Sequence, residues 1–393
     1  MRLTRLTLTE FRSYPALTWR PRTRLAVLFG PNGSGKTNLL EAISLLVPGR
    51  GLRGARNAEL KRHGARDGWA VAGRFATVDG GTDVGTGTRP DGTPDRRMFR
   101  LDGAVPRSQA EIAARIAAVW LTPQMDRLFS EGLSGRRRFL DRLVWALEPG
   151  HAREMAAYDA AMGSRNRLLA QGRQDPSWLA GLEDEMARHA VAATAARIAL
   201  VTRLNAVLAG GAVGHFPAAQ VALACPIADR LAAAAALDVE DGLREAFAAN
   251  RVRDAAAGSA ALGAHRTDMA LTDRASGTAA AYASTGEQKA LLIGVILGHA
   301  ALIAEARGFA PLLLLDEPAV HLDPDRRAAL FEALARLPAQ TIMTGTDADT
   351  FLPLAGIAEG LRTGGGKLHA DARFPPPEPA GSSVPPAAET LYS

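Results

Sequence analysis

Residues 30–37 read GPNGSGKT, which matches the spacing G-x-x-x-x-G-K-[ST] in full. Glycine adopts backbone angles that other residues avoid, so such a loop can turn successive N–H groups toward phosphate oxygens. We expect Lys36 to reach the terminal phosphates of ATP and the Thr37 hydroxyl to bind Mg²⁺. The predicted nucleotide contacts in this segment are Gly30, Pro31, Asn32, Gly33, Ser34, Gly35, Lys36, Thr37 and Asn38.

A second chemical segment, LLLLDEP, spans residues 312–318. Four consecutive apolar residues suit a strand buried on both faces of a parallel sheet, and such sheets bind ligands at their carboxyl ends. Asp316 is therefore the candidate Mg²⁺ ligand, and Glu317 is the candidate base for an attacking water. With Lys36 they form the predicted catalytic set. An acidic turn after a strand would read the same, but the upstream glycine-rich loop favours catalysis.

The segment STGEQK, residues 284–289, has the S-x-x-E form of a capping box and predicts the start of a helix. Taken alone it fits an ordinary helix cap. Upstream of the acidic strand, however, it resembles the S-x-G-x-Q signature of ABC ATPases. That resemblance implies that Ser284, Gly286 and Gln288 contact a nucleotide held by a second copy of the chain. ATP would then drive formation of a homodimer.

Further residues are assigned by the same resemblance to ABC ATPases. Asp323, in the phrase His-Leu-Asp after Glu317, matches the D-loop residue that crosses the dimer interface. Gln124 lies where these proteins keep a glutamine that senses Mg²⁺, although a solvated loop glutamine fits equally well. The expected switch histidine is absent. Thr346 or Asp347 would replace it, which argues for slow turnover.

The ends of the chain have α/β texture, and they should form one lobe around these motifs. Residues 69–105 read as an antiparallel meander with turns at Asp91-Gly92 and Asp102-Gly103 and a flexible loop tip at 80–87. The remaining predicted elements are strands 1–8, 25–29, 312–315 and 341–343, and helices 38–46, 286–304 and 324–337.

The middle of the chain, residues 109–249, has helical spacing of apolar residues, interrupted at Pro217–Pro226. Its longest predicted helices cover 155–171 and 178–208, and their polar residues suit an exposed helical arm. The polar residues assigned to this exposed face are Arg165, Arg167, Glu183, Glu185, Arg188 and Arg197.

These elements predict an α/β fold with an inserted helical lobe and an antiparallel β subdomain, and the resemblance to ABC ATPases implies a P-loop ABC-type ATPase head of SMC-like form. The predicted division is 1–120 plus 260–372 for the ATPase lobe, 121–259 for the helical lobe and 373–393 for a disordered proline-rich tail.

Composition limits the possible locations and partners. The longest apolar stretch, Ala290–Ala304, is too short to span a bilayer, and no signal peptide opens the chain, so we expect a cytoplasmic protein without a membrane partner. Cys225 is the single cysteine and is expected to be buried. Residues 1–75 contain 14 Lys/Arg and 4 Asp/Glu, whereas the remainder contains 32 and 37. This basic portion suggests a polyanionic partner, although an arginine-rich composition alone would also produce it.

Phrases outside the nucleotide motifs resemble the RecF family of DNA-repair ATPases, which is related to the SMC heads. They extend over roughly residues 1–370, and transporter ATPases would not share them. The matching phrases are LTLTEFRSY (Leu6–Tyr14), GPNGSGKTNLLEAISLL (Gly30–Leu46), GRGLRGAR (Gly49–Arg56), GLSGRRRFLDRLV (Gly132–Val144), SRNRLLAQ (Ser164–Gln171) and GAHRTDMAL (Gly263–Leu271).

This resemblance implies a weak, DNA-stimulated ATPase that dimerises with ATP on DNA, at single-strand gaps and adjacent duplex. It also implies RecR and RecO as partners and RecA as an indirect one, loaded onto DNA with their help. The candidate DNA contacts are loosely placed, and a solvated surface charge is the favoured alternative for each: Arg53, Arg56, Lys61, Arg62, Arg66 and Arg136–Arg138.

Two other classes remain open. A transporter ATPase subunit would share the nucleotide motifs but would need a membrane partner. An SMC-like structural clamp would need long heptad arms, whereas the longest helical stretch here covers residues 178–208.

Overall fold

The structure, a computed structural model, describes residues 1–66, 68–78, 80–88, 97–172, 175–211, 214 and 216–375. The predicted turn at Asp91-Gly92 and the tail after residue 375 lie outside these residues. The described strands are β1 (Arg2–Phe11), β2 (Tyr14–Trp19), β3 (Leu25–Phe29), β4 (Ala70–Thr77), β5 (Gly80–Thr88), β6 (Arg97–Leu101), β7 (Ala118–Leu121), β8 (Ala219–Ala224), β9 (Asp268–Asp273), β10 (Leu312–Leu315), β11 (Thr341–Gly345), β12 (Ala358–Gly364) and β13 (Lys367–Ala370). The described α-helices are α1 (Lys36–Ser44), α2 (Asn57–Leu60), α3 (Gln109–Arg115), α4 (Leu133–Leu147), α5 (His151–Ala170), α6 (Pro176–Ala209), α7 (Pro226–Leu231), α8 (Ala236–Ala249), α9 (Arg251–Ala257), α10 (Thr285–Arg307) and α11 (Pro324–Arg336).

A central sheet is built from both ends of the chain in the order β13-β12-β3-β11-β10-β7. Its strands are parallel except β13, which pairs antiparallel with β12. Every residue of β3, β7, β10 and β11 is buried. Alternate side chains of β3 enter separate cores, Val27 on one face and Leu28 on the other. Burial on both faces explains why these strands are continuous apolar runs.

Two layers cover this sheet. On one face, α1 and a five-stranded antiparallel sheet of order β2-β1-β4-β5-β6 share a core with Leu28 and Leu314. On the other face, α4, α10 and α11 pack around Val27 and Leu315. Each buried aliphatic side chain contributes roughly 1.5–3 kcal/mol, so these two cores hold the sheet and its loops in place.

Helices α6 and α10 are long and apolar enough to cross a membrane. The shorter stretch Ala290–Ala304, which alone was considered from the sequence, lies within α10. For α10, 78% of the most apolar window is buried inside the protein; for α6 the share is 39%. The hydropathy of α10 is thus that of a helix at the centre of a core.

Two elements differ from the expectations. The glycine-rich residues 80–87 belong to β5, which pairs with β4 and β6. The prediction of a flexible loop tip there is therefore wrong. Thr82, Val84 and Thr86 alternate inward and are buried, and pairing on both sides overrides the poor strand propensity of glycine. β7 lies within the stretch predicted to be helical, because a four-residue apolar run has no readable period.

The polar face predicted for the helical arm is only partly exposed. Arg167, Glu185 and Arg188 are exposed, as expected. Arg165, Glu183 and Arg197, in contrast, are buried. Arg165 donates to Glu183 (2.9 Å) on α6 and to Asp254 (2.8 Å) on α9, so opposite charges from other helices neutralise it.

Candidate nucleotide-binding site

The glycine-rich loop joins β3 to α1 and has a backbone that other residues cannot adopt. Gly30 and Gly35 have φ of 150° and 103°. A Cβ at Gly30 would lie 2.8 Å from the Thr363 carbonyl oxygen, and one at Gly35 would lie 2.9 Å from the Tyr14 hydroxyl. The Tyr14 hydroxyl itself donates to the Gly35 carbonyl (3.0 Å). Steric contact therefore requires glycine at both positions.

Lys36 is the first residue of α1 and only 4% exposed. Its Nζ donates to the carbonyl oxygens of Gly30 (2.6 Å) and Pro31 (3.1 Å). Burial lowers the pKa of Lys36, while the charges of Glu317 and Asp316 oppose this shift. The ammonium is thus held over its own loop by carbonyl dipoles, with two carboxylates nearby.

The loop meets the acidic strand through a direct hydrogen bond. Thr37 Oγ1 donates to Asp316 Oδ1 at 2.9 Å. Thr344, on β11, donates its hydroxyl to the same oxygen at 2.8 Å and accepts the Glu317 N–H at 2.9 Å. Three adjacent parallel strands, β3, β11 and β10, therefore bring these groups to one edge of the sheet. Sequence analysis missed Thr344, because a threonine inside a buried strand gives no signal of its partners.

The backbone at Glu317 is unusual and is held from both sides. Its φ is 51°, in the left-handed region that residues other than glycine rarely occupy. The Lys289 ammonium donates to the Glu317 carbonyl (3.0 Å) and contacts Asp126 Oδ2 (3.5 Å). Burial lowers the pKa of Lys289 and raises that of Asp126, and in each case the partner's charge opposes the shift.

The predicted signature residues begin α10. Ser284 is its N-cap, and the Glu287 carboxylate accepts both the Ser284 N–H (2.8 Å) and its hydroxyl (2.7 Å), which confirms the capping box. A Cβ at Gly286 would lie 3.0 Å from the His321 carbonyl, so the signature packs beside the predicted D-loop. Gln288 donates to the Ala283 carbonyl (2.9 Å).

Asp323 caps α11 by accepting the Arg326 N–H (2.8 Å). Within the described residues, no hydrogen bond or ion pair joins Ser284, Gly286, Gln288 or Asp323 to the glycine-rich loop. The structure thus brings together Lys36, Thr37, Asp316 and Glu317, and it keeps the signature set in a separate group.

Gln124 is exposed, three residues after Leu121, which pairs with Leu315. It therefore lies at the same sheet edge as Asp316, with no side-chain partner among the described residues. Thr346 and Asp347 are also exposed, and Asp347 accepts the Asp349 N–H (3.0 Å) in its own turn. Neither contacts Asp316; Thr344, two residues earlier, does.

A buried carboxylate supports the glycine-rich loop from behind. Arg12 donates two hydrogen bonds of 2.9 Å to Glu41, which is 1% exposed on α1. Arg53 lies 3.5 Å from the same carboxylate and donates to Asn38 Oδ1 (2.9 Å). Asn38, a predicted nucleotide contact, is thus already bonded to protein groups. These contacts connect the phrases around Arg12 and Arg53 to the loop.

The donor set fits Mg²⁺ and a nucleoside triphosphate. Thr37 and Asp316 supply hard oxygen atoms 2.9 Å apart, the ligand type that Mg²⁺ prefers. The glycine loop leads into the N-terminus of α1, where unpaired N–H groups favour phosphate.

The chain matches known proteins over nearly its whole length. The family model described as RecF/RecN/SMC N terminal domain matches residues 2–355. "DNA replication and repair protein RecF" of Mesorhizobium japonicum is 46% identical over 360 residues, 91% of this chain and 95% of the relative. That of Allorhizobium ampelinum is 46% identical over 368 residues, 93% and 98% of the two chains. The chain belongs to the RecF family. The family predicted from sequence is confirmed.

Solved structures agree with the RecF family fold. A structure of the recombination mediator protein RecF-ATPrS in the RecFOR pathway superimposes with a TM-score of 0.82 at 20% identity, covering 94% of this chain and 98% of that one. An SMC head bound to the C-winged helix domain of ScpA gives 0.54 at 15% identity, covering 94% and 97%. These matches confirm the predicted SMC-like head fold.

The candidate DNA-contacting residues differ in exposure and in whether they already bond to other protein groups. Arg56, Lys61 and Arg66 are exposed. Arg62 pairs with Glu10 (2.6 Å), and Arg136 forms two hydrogen bonds with Asp268 (2.7 and 2.9 Å). Arg137 donates to the His265 carbonyl, whereas Arg138 is exposed. The exposed members lie mainly between α1 and β4. Arg56 also lines a cavity of about 780 Å³ there, together with Arg50 and Arg97.

Proposed function

We propose that this RecF family protein binds and hydrolyses ATP and uses this cycle in DNA replication and repair. The observation that carries the proposal is the direct contact of Thr37 with Asp316, beside Lys36 and Glu317. These are the groups that phosphoryl transfer to water requires, and they meet at the carboxyl edge of a parallel sheet.

In this proposal each residue has a defined task. The loop N–H groups and the Lys36 ammonium bind the phosphates and oppose the negative charge that grows on them. Thr37 and Asp316 hold Mg²⁺, which when bound neutralises phosphate charge. Glu317 orients the attacking water and accepts its proton. Thr344 holds Asp316 and the Glu317 backbone in register.

The separate placement of the signature group supports a shared site. Ser284 and Thr285 are exposed at the N-terminus of α10, whose free N–H groups favour anions. In this proposal the N-terminus of α10 in one copy contacts the terminal phosphate held by the other copy, and Asp323 and Gln288 lie at the interface. ATP thus controls formation of the homodimer.

DNA is the proposed polyanionic partner, bound at single-strand gaps and adjacent duplex through its phosphates. The excess of basic side chains in residues 1–75 supports this. RecO and RecR are proposed protein partners, because a structural neighbour is described in the RecFOR pathway; RecA would be loaded with their help. The proposal also includes a cytoplasmic location and weak, DNA-stimulated turnover. It keeps the division into an ATPase lobe (1–120 plus 260–372), a helical lobe (121–259) and a tail (373–393).

The test is the mass of Glu317→Gln with and without ATP, measured by light scattering. We expect a stable dimer with ATP, because nucleotide is bound but the water loses its base. Lys36→Ala, the matched control, should stay monomeric, since the loop loses its ammonium. A Glu317→Gln protein that remains monomeric at saturating ATP would refute the shared site.

A further inference from the structure

Lys289 is a buried cation that the proposed chemistry does not use. It lies five residues after Ser284 on α10 and is 1% exposed. Lysine is almost never fully buried unless it is paired. Its Nζ reaches two groups from different segments: Asp126, in the 3-10 turn Pro123–Arg127 after β7, and the carbonyl of Glu317 after β10.

The two contacts of Lys289 differ in quality. The distance to the Glu317 carbonyl is 3.0 Å, a normal hydrogen bond, whereas the distance to Asp126 Oδ2 is 3.5 Å. The other oxygen of Asp126, Oδ1, is buried and has no partner among the described residues. The geometry therefore favours the carbonyl as the hydrogen-bond acceptor, with Asp126 as a nearby countercharge.

The carbonyl that Lys289 binds belongs to a residue in a strained conformation. A non-glycine residue at positive φ is less stable than in the ordinary regions, because its Cβ approaches the following carbonyl oxygen. The peptide groups on both sides of Glu317 are fixed, the N–H by Thr344 and the carbonyl by Lys289. Because the side chain projects from the Cα between them, these two bonds set the direction of the carboxylate.

We propose that Lys289 is a positioning residue that ties the start of α10 to the backbone of Glu317. The five-residue separation along the helix places Lys289 about 7.5 Å from Ser284. Movement of the Ser284 end on meeting a nucleotide is thereby passed to the carbonyl of the residue that orients water. This inference rests on the proposed function, which supplies the roles of Ser284 and Glu317.

The experiment compares Lys289→Met with two controls in the full chain. Lys367→Met makes the same change at an exposed lysine on β13. Asp126→Asn removes the countercharge and leaves the carbonyl contact. We expect Lys289→Met to lower kcat at least about tenfold with KM for ATP within about twofold, because the nucleotide contacts are intact while the carboxylate is misplaced. Both controls should keep kcat within about threefold of wild type.

A second readout does not depend on ATP hydrolysis. Hydrogen exchange of the Glu317 and Val320 amides should speed up in Lys289→Met, because the Glu317 N–H bonds to Thr344 Oγ1 and the Val320 N–H bonds to the Glu317 carbonyl that Lys289 also holds. Exchange across β3 should stay unchanged. If Lys289→Met does not fold, Lys289→Gln replaces it, because a polar amide can still be accommodated beside Asp126. The glutamine side chain is one bond shorter than that of lysine and should not reach the Glu317 carbonyl, so the expectations are the same.

The outcomes separate the two ideas. A wild-type protein that does not hydrolyse ATP contradicts the proposed function, and the exchange measurement still tests the backbone tie. With an active wild type, an unchanged kcat and unchanged exchange in Lys289→Met overturn the positioning role. An equal loss of kcat in Asp126→Asn also overturns it, because the ion pair alone would then explain the effect.

Discussion

Thr344 joins the two acidic residues of the site through a single hydroxyl. It is completely buried on β11, donates to Asp316 and accepts from the Glu317 N–H. A hydrogen bond to a charged group contributes about 1.5–3 kcal/mol, and an unsatisfied buried N–H costs a similar amount. The hydroxyl is therefore important both for stability and for the alignment of the carboxylates.

We predict that Thr344→Val lowers kcat for ATP about tenfold, because the valine keeps the shape but leaves the Glu317 N–H without an acceptor. Thr344→Ser, which restores the hydroxyl, should recover most of the activity. Steady-state ATPase kinetics measure both.

Thr341 offers a matched control on the same strand. It is also fully buried, and its hydroxyl has no partner in the described part of the chain. Thr341→Val should therefore leave kcat unchanged and should not lower the free energy of unfolding. Equal kcat values for Thr344→Val and Thr341→Val would show that the bridge is irrelevant to turnover.

At the scale of elements, two of the arginines on α6 have opposite environments. The Arg197 side chain is 0% exposed and donates to Asp141 (2.8 Å) on α4, to the Ala264 carbonyl (2.8 Å) and to Thr267 (2.9 Å). Arg188 is 52% exposed and pairs with Asp184 one turn away (3.1 Å). Arg197 thus joins the helical region to the segment before β9, whereas Arg188 stabilises only its own helix.

We predict that Arg197→Met lowers the free energy of unfolding by about 3–5 kcal/mol, because it removes a buried guanidinium that donates to Asp141, the Ala264 carbonyl and Thr267. Arg188→Met, the same substitution on the same helix, should change it by less than about 0.5 kcal/mol, as expected for an exposed pair. Urea unfolding followed by circular dichroism measures both. Similar losses for the two variants would mean that burial of Arg197 gives it no special weight.

For the whole molecule, charge is unevenly distributed along the chain. Residues 1–75 have 10 more basic than acidic residues, and the remainder has 5 more acidic than basic ones. The exposed basic residues Arg56, Lys61 and Arg66 lie in the segment between α1 and β4, close in sequence to the glycine-rich loop. A phosphate backbone bound by these side chains would contact the segment between α1 and β4.

We predict that the affinity for gapped duplex DNA falls steeply with salt, and that the triple variant Arg56→Ala, Lys61→Ala, Arg66→Ala binds more weakly with a shallower salt dependence. Each lost phosphate contact reduces the slope of log K against log salt by about 0.9. Fluorescence anisotropy at several salt concentrations measures the slope. Arg336→Ala, at an exposed position on α11, is the control. A triple variant with the wild-type slope would exclude this segment as the phosphate contact.

Much of this molecule could be predicted from local sequence patterns. The glycine loop, the buried strand before Asp316 and the capping box at Ser284 depend on short-range requirements: positive φ, burial on both faces and a free helix N-terminus. Each leaves a pattern within a few residues. The family also follows from such phrases, since they extend over most of the chain.

Only the tertiary structure decided which distant residues meet. Thr344 and Lys289 join Asp316 and Glu317, and Asp126 joins Lys289, from segments more than 25 residues away. Hydrogen bonds over such separations leave no periodicity in the sequence. The same holds for Arg165 and Arg197. Their sequence context predicts exposed side chains, but the fold buries them against acidic partners from other helices. Strand β5 formed from glycines for the same reason, because its two neighbours supply the hydrogen bonds that its own residues do not favour.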